Sequence, residues 1–202
     1  MSANARRDIV IIDGCGANLA SLQFALQRLD QEAEVTKDAA RIRDAELVLL
    51  PGVGAAGYAM AQLRESGLDA VVPTLRQPVL GICLGMQLLL EGSDEDNTQC
   101  LGVVPGRCER FEPSAEMPTP HMGWNRLRPV DNHPLFANVD DGAHCYFVHS
   151  FAASFSEQTA AWSDYGVRFA AAVSYKNFHG VQFHPERSGK TGAQILANFL
   201  TF

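Results

Sequence analysis

Apolar residues fall into short unbroken runs separated by stretches in which they recur at helical spacing. Asp8–Asp13 (Asp-Ile-Val-Ile-Ile-Asp) reads as a buried first strand, Val35 begins a short second, and Ala45–Leu50 is a third. Runs that are apolar on both alternations suit strands covered on both faces. The segments between them read as helices. One follows Asn18, placed to cap it, with Leu22, Phe24, Leu26 and Leu29 turned inward, and another spans Gly57–Ser66. Strands alternating with helices predict a parallel sheet with helices on both faces.

Farther along, Gly92–Gln99 is polar and acidic and is expected as a surface loop. Leu101–Val104 and Arg107–Phe111 have the look of a hairpin about Pro105-Gly106, and Pro113–Pro120 is irregular. Pro120-His121-Met122-Gly123-Trp124-Asn125 fits a core strand or a partner surface, with core the default. His144–Phe151 is expected as one strand from its aromatic and β-branched content. Arg168–Tyr175 and Gly180–Phe183 predict a hairpin around Lys176-Asn177. Gly189–Leu200 predicts a closing helix with an apolar stripe of Ile195, Leu196, Phe199 and Leu200.

The pattern turns from strand to helix within Pro78–Leu90, and Cys83 sits at the corner. Gly81 and Gly85 flank it two residues away on each side, the spacing of the serine elbow of hydrolases. A thiol at a helix N-terminus faces unpaired amides that favour its thiolate, and the Leu84 amide is placed where an oxyanion forms. The competing reading is a buried structural cysteine. Pro51-Gly52-Val53-Gly54, after the third strand, is either an ordinary turn or a loop whose peptide rotates to offer an N–H.

Six histidines compete for the role of base. Pro185 biases His184 to an extended conformation, so His184 and Glu186 project to one side. A carboxylate there accepts from one ring nitrogen and leaves the other to serve the thiol. His149 ends a strand but has no acid near it in sequence, and ranks second.

Composition narrows the partners. The 202 residues suit one domain, 1–202, and the net charge of −7 is carried without any basic stripe, so nucleic acid is not an expected partner. No run approaches the roughly 18 apolar residues of a membrane span, and Met1–Asp8 lacks a signal-peptide core, so a cytoplasmic location is expected. The five cysteines, at 15, 83, 100, 108 and 145, are odd in number and irregularly spaced, which argues against a disulfide framework. No metal or other cofactor is assigned. A dinucleotide loop at Gly14-Cys15-Gly16 fails because Leu19 stands where a third glycine belongs.

Gly81-Ile82-Cys83-Leu84-Gly85-Met86-Gln87 and Gly180-Val181-Gln182-Phe183-His184-Pro185-Glu186 together resemble the marks of the class I (triad) glutamine amidotransferases. Within that class, Pro51–Gly54, Pro120–Asn125, Tyr146–Ser150 and Glu186–Gly189 are similar to the glutaminase subunits of imidazole glycerol phosphate synthase, and the likeness spans essentially the whole chain. The departures are a variable first loop, Asp13–Asn18, and Phe151 where a tyrosine is common. The resemblance implies a flavodoxin-like three-layer α/β sandwich with a mostly parallel central sheet and a smaller antiparallel portion. It implies a triad of Cys83, His184 and Glu186, and an oxyanion hole from Val53 and Leu84. Glutamine contacts would come from Gly52, Gln87, Glu95, Ser150 and Phe151. It also implies a partner, a cyclase subunit with a (β/α)8 barrel, docked on Pro120, Met122, Trp124, Asn125 and Arg187. That partner would use the ammonia to make imidazole glycerol phosphate and an aminoimidazole carboxamide ribotide in histidine biosynthesis. Three other readings stay open: an amidotransferase of the same class feeding a different synthase, a non-catalytic module with Cys83 as redox sensor, and a stand-alone cysteine hydrolase of small amides.

Overall fold

The structure, a computed structural model, describes residues 6–14, 19–112, 117–130 and 132–202. The expected cap at Asn18, and Cys15, lie outside them. In chain order the first half comprises β1 (Ile9–Ile12), α1 (Leu19–Gln27), β2 (Ala33–Thr36), α2 (Ala39–Asp44), β3 (Leu47–Gly52), α3 (Ala56–Glu65), α4 (Leu68–Val71), β4 (Val79–Cys83) and α5 (Leu84–Leu89). Short strands β5 (Gly92–Ser93), β6 (Thr98–Gln99) and β7 (Arg107–Arg110) follow, then β8 (His121–Arg126), β9 (Arg128–Pro129) and β10 (His144–His149). The chain ends with β11 (Phe151–Ser154), β12 (Thr159–Tyr165), β13 (Val167–Tyr175), β14 (Phe178–Val181) and α6 (Gly189–Phe199).

Strands β2, β1, β3, β4 and β14 lie side by side in that order and all run parallel. Their alternation divides the core. Ile9, Ile11, Leu47, Leu49, Leu80 and Ile82 pack with α1 and α6 on one face. Val10, Ile12, Val48, Leu50 and Val79 pack with α2 to α5 on the other. The result is three layers, as expected for strands that are apolar on both alternations. From β14 the sheet continues antiparallel through β13, β11 and β7, while β8 and β10 form a separate two-stranded antiparallel sheet. Among the described residues no helix is long and apolar enough to cross a membrane.

Several local expectations are corrected. Phe24 is exposed, because it lies nearly opposite the stripe of Leu22, Ala25 and Leu26 that α1 buries. Gly92–Gln99 is not merely a surface loop: Gly92 and Ser93 are buried and pair with β6 and β7. Leu101–Val104 makes no hairpin with β7. Its amides turn back to cap the end of α5, at the carbonyls of Leu88, Leu89 and Leu90. The single strand expected over His144–Phe151 is two, with Ser150 the point where the chain leaves the small sheet and joins the large one. The predicted hairpin about Lys176-Asn177 is present, and it carries β14 back to lie beside β4.

Candidate active site

The register of the parallel strands assembles the site. Gly52 pairs with Cys83 on one side of β4, and Val181 pairs with Ile82 on the other, so three strand ends meet at the sheet's C-terminal edge. Open parallel sheets bind ligands at such edges. At this edge Cys83 has φ +54° and ψ −113°, a conformation that costs a non-glycine residue about 1–3 kcal/mol. The corner is possible because its flanking positions lack side chains. A Cβ on Gly85 would lie 1.7 Å from the Leu50 oxygen, and one on Gly81 would lie 2.7 Å from the Gly85 carbonyl.

Cys83 and His184 face a cleft of about 320 Å³ that is also lined by Val53, Leu84, Gln87, Glu95, Pro120, Ser150 and Phe151. A second cavity of about 220 Å³ adjoins it, sharing Val53, Val148 and His184 and reaching Gly52, Glu186 and Arg187. The structure thus brings together every residue expected in the triad, the oxyanion hole and the glutamine pocket. A larger cavity of about 530 Å³, around Pro129, His133 and Phe136, contains none of them, and its described wall has no cysteine, serine or threonine.

His184 Nδ1 lies 2.9 Å from Glu186 Oε1, and both side chains are nearly buried. Burial pulls the imidazole's pKa down, but hydrogen bonds to Cys83 and Glu186 and their negative charge outweigh it, so the ring is pushed up to about 10. An imidazolium beside the sulfur is therefore the favoured form at neutral pH. The rival base is excluded by its bonds: His149 Nδ1 is 2.8 Å from the Phe151 carbonyl and Nε2 is 3.0 Å from His121 Nδ1, which leaves no lone pair for the sulfur.

Three further placements refine the expected roles. Both amide protons of buried Gln87 are committed, to the Phe151 carbonyl at 3.0 Å and to Gln182 Oε1 at 2.9 Å, leaving its Oε1 as the atom able to accept. Glu95 is not a solvated acid. Its Oε2 accepts from the Ala56 amide at 2.6 Å and caps α3, whose N-cap residue Ala55 has no side-chain acceptor. Gln182, fully buried with Nε2 3.9 Å from the Cys83 sulfur, was missed; its only sequence signal is a polar residue inside an apolar strand end.

On the outside, Met122 and Trp124 are 66% and 56% exposed, which makes β8 an edge with an apolar outer face rather than a core strand. Trp124 meets the Tyr146 ring at 5.9 Å, and the Arg187 guanidinium stacks on that ring at 4.5 Å, so Tyr146 joins the expected docking residues. Asn125 does not share their face. It alternates with them and bonds inward to His121 and to the Asp164 carbonyl.

The family described as "Glutamine amidotransferase class-I" matches residues 13–201. Imidazole glycerol phosphate synthase subunit HisH of Mannheimia succiniciproducens is 51% identical over 192 residues, covering 95% of this chain and 98% of that protein. The chain belongs to the HisH family of class-I glutamine amidotransferases. HisH of Idiomarina loihiensis is 49% identical to this amidotransferase, over 96% of the chain and 97% of the relative. Among solved structures, a glutamine amidotransferase superposes with a TM-score of 0.73 at 20% identity, over 96% of this chain and 97% of the other. PurLQS from Thermotoga maritima gives 0.71 at 19%, over 97% of each. Those two likenesses speak for the fold.

Proposed function

We propose that this amidotransferase is the glutaminase subunit of an imidazole glycerol phosphate synthase, supplying ammonia to a cyclase subunit in histidine biosynthesis. The observation that carries the reading is a Cys83–His184–Glu186 constellation at one sheet edge, in a chain about half identical to HisH subunits along nearly its whole length.

Cys83 attacks the carboxamide carbon of glutamine as the thiolate, and His184, held by Glu186, passes its proton to the departing ammonia. Water then cleaves the glutamyl thioester, with the imidazole as base, releasing glutamate and restoring the thiol. The amides of Leu84 and Val53 stabilise the tetrahedral oxyanion, the latter once the Gly52–Val53 peptide rotates; losing one such donor costs about 3 kcal/mol. Glutamine is gripped by Gln87 through Oε1, by Glu95, and by the backbone at Gly52, Ser150 and Phe151. Ammonia freed into water is protonated and loses its nucleophilicity, so it must pass directly to the partner. The partner is a (β/α)8-barrel cyclase seated on Met122, Trp124, Tyr146 and Arg187, with Pro120 at the rim. Rotation of the Gly52–Val53 peptide depends on that partner; an isolated chain as fast as the complex would exclude this.

The test is Cys83→Ala in complex with the cyclase. Glutamine-dependent synthesis is lost while synthesis from free ammonium persists. Loss of both activities in an assembled complex would overturn the division of labour.

A further inference from the structure

Asn125, His121 and His149 form an unbroken hydrogen-bonded chain that no step of the proposed reaction uses. Backbone groups fix its direction at both ends. At the outer end Asn125 Oδ1 accepts from the Arg126 amide at 2.7 Å and Nδ2 donates to the Asp164 carbonyl at 2.8 Å. The side-chain amide therefore has one orientation, and its second proton is donated to His121 Nε2 at 3.2 Å. At the inner end the Phe151 carbonyl can only accept, so His149 carries its proton on Nδ1. Its Nε2 then accepts from His121 Nδ1 at 3.0 Å. A neutral imidazole has one donor and one acceptor, so each ring is fixed in its Nδ1–H form.

Both rings are enclosed. His121 stacks between Tyr165 and Phe147, with centroids 4.1 and 5.1 Å away, and Phe111 packs on His149 at 5.2 Å. Burial pushes His121 down to about 4 and His149 down to about 3, which keeps both neutral at ordinary pH.

The ends of the chain belong to different surfaces. Asn125 and His121 alternate along β8 with Met122 and Trp124, the exposed residues of the docking face. The Phe151 carbonyl lies at the glutamine cleft and also accepts from Gln87, whose other proton reaches Gln182, which in turn points a proton at the Cys83 sulfur. One carbonyl thus ends a chain from the docking strand and a chain from the nucleophile.

We propose that His121 and His149 are positioning residues of the glutaminase, tying the Phe151 carbonyl and Gln87 to strand β8 so that a partner seated on Met122 and Trp124 sets the geometry of the glutamine pocket. The proposal rests on the reading of the chain as a glutaminase docked through β8.

Two variants separate positioning from packing. H121F keeps an aromatic ring in the stack and removes both hydrogen bonds, whereas H121N retains a donor at the Nδ1 position. In the assembled complex, H121F is expected to raise KM for glutamine about tenfold, the worth of roughly one hydrogen bond, and H121N to return it to within about threefold of wild type. Cyclase affinity and ammonium-dependent synthesis stay at wild-type values in both. A wild-type KM in H121F, or H121N no better than H121F, overturns the proposal while leaving the glutaminase reading intact. A wild-type complex without glutaminase activity removes both. Imidazole ¹⁵N shifts of the wild-type protein provide a measurement independent of any variant: both rings are expected as Nδ1–H tautomers, and an Nε2–H signal from either one overturns the chain.

Discussion

Replacing Glu186 by Gln removes a charge without removing an acceptor. The amide Oε1 can still take the proton of His184 Nδ1, now 2.9 Å from the carboxylate, so the ring keeps its orientation. What is lost is charge assistance. A hydrogen bond to a charged group is worth about 1.5–3 kcal/mol and a neutral one about 0.5–1.5. The difference of about 1–2 kcal/mol is felt where the neutral ring takes a proton from water during thioester cleavage, and corresponds to roughly 5- to 30-fold in that step. Folding should lose a similar amount, about 1–2 kcal/mol at neutral pH, because the charge that raises His184 in the fold is gone and the amide nitrogen takes the place of an Oε2 that has no hydrogen-bond partner. The pH dependence has a definite sign. His184 rises from its ordinary 6.5 to about 10 in the fold, so its contribution to stability is complete below about 6.5 and is lost as pH climbs through about 10. The protonated ring is also the active form beside the sulfur, so E186Q should bring the alkaline limb of the glutaminase profile down by about one unit. The assay is steady-state glutaminase activity of the assembled complex from about pH 6 to about pH 10. A kcat within about twofold of wild type, with the alkaline limb unmoved, would refute this account of Glu186.

Gly85→Ala drives a Cβ to 1.7 Å from the Leu50 oxygen and should cost about 3 kcal/mol or more, lowering the thermal midpoint by roughly 6–12 °C. An unchanged melting curve would mean that α5 and β3 do not approach so closely. Arg187→Glu abolishes the stack on Tyr146 and reverses a charge on the docking face, and should weaken cyclase binding by at least about tenfold in calorimetric titration. Unchanged affinity takes Arg187 out of the interface. Glu95→Ala removes the cap of α3 and should cost the free chain about 1 kcal/mol in denaturant unfolding. A variant of full stability with impaired glutamine binding would assign Glu95 to substrate alone.

What could be read from the sequence was what local spacing dictates. Cys83 between Gly81 and Gly85, and His184 two residues before Glu186, are arrangements whose consequences are set within seven residues of chain. The parallel core was legible for a similar reason, because β1 and β3 are apolar on both alternations. Phe24 misled because an apolar residue two places from Leu22 fits a strand's period and not a helix's. The caps of α3 and α5 were hidden because Glu95 lies in an acidic stretch whose composition says only loop, and because the apolar run 101–104 reads as a hairpin strand. The link between His121 and His149 needs the pairing of β8 with β10, which sets residues 28 positions apart opposite each other. No period along one strand announces that. Ser150 was passed over because its neighbours on both sides are good strand formers, and only competition between two sheets for the same segment makes the break.

The two sheets divide the catalytic machinery unequally. In the proposed reaction the large sheet supplies the nucleophile through β4 and the oxyanion loop through β3. The base follows β14 in sequence, yet its backbone is fastened elsewhere: the His184 amide donates to the Tyr146 carbonyl at 2.9 Å. Ser188 Oγ donates to the His184 carbonyl at 2.6 Å while accepting from the Tyr146 amide at 3.0 Å. Those three bonds hold His184 to β10 of the small sheet, and β10 also carries Tyr146, on which Arg187 and Trp124 pack. The position of the imidazole is therefore tied to the small sheet as well as to the end of β14. A partner seated on Met122, Trp124 and Arg187 would bear directly on the sheet that fastens the backbone of His184.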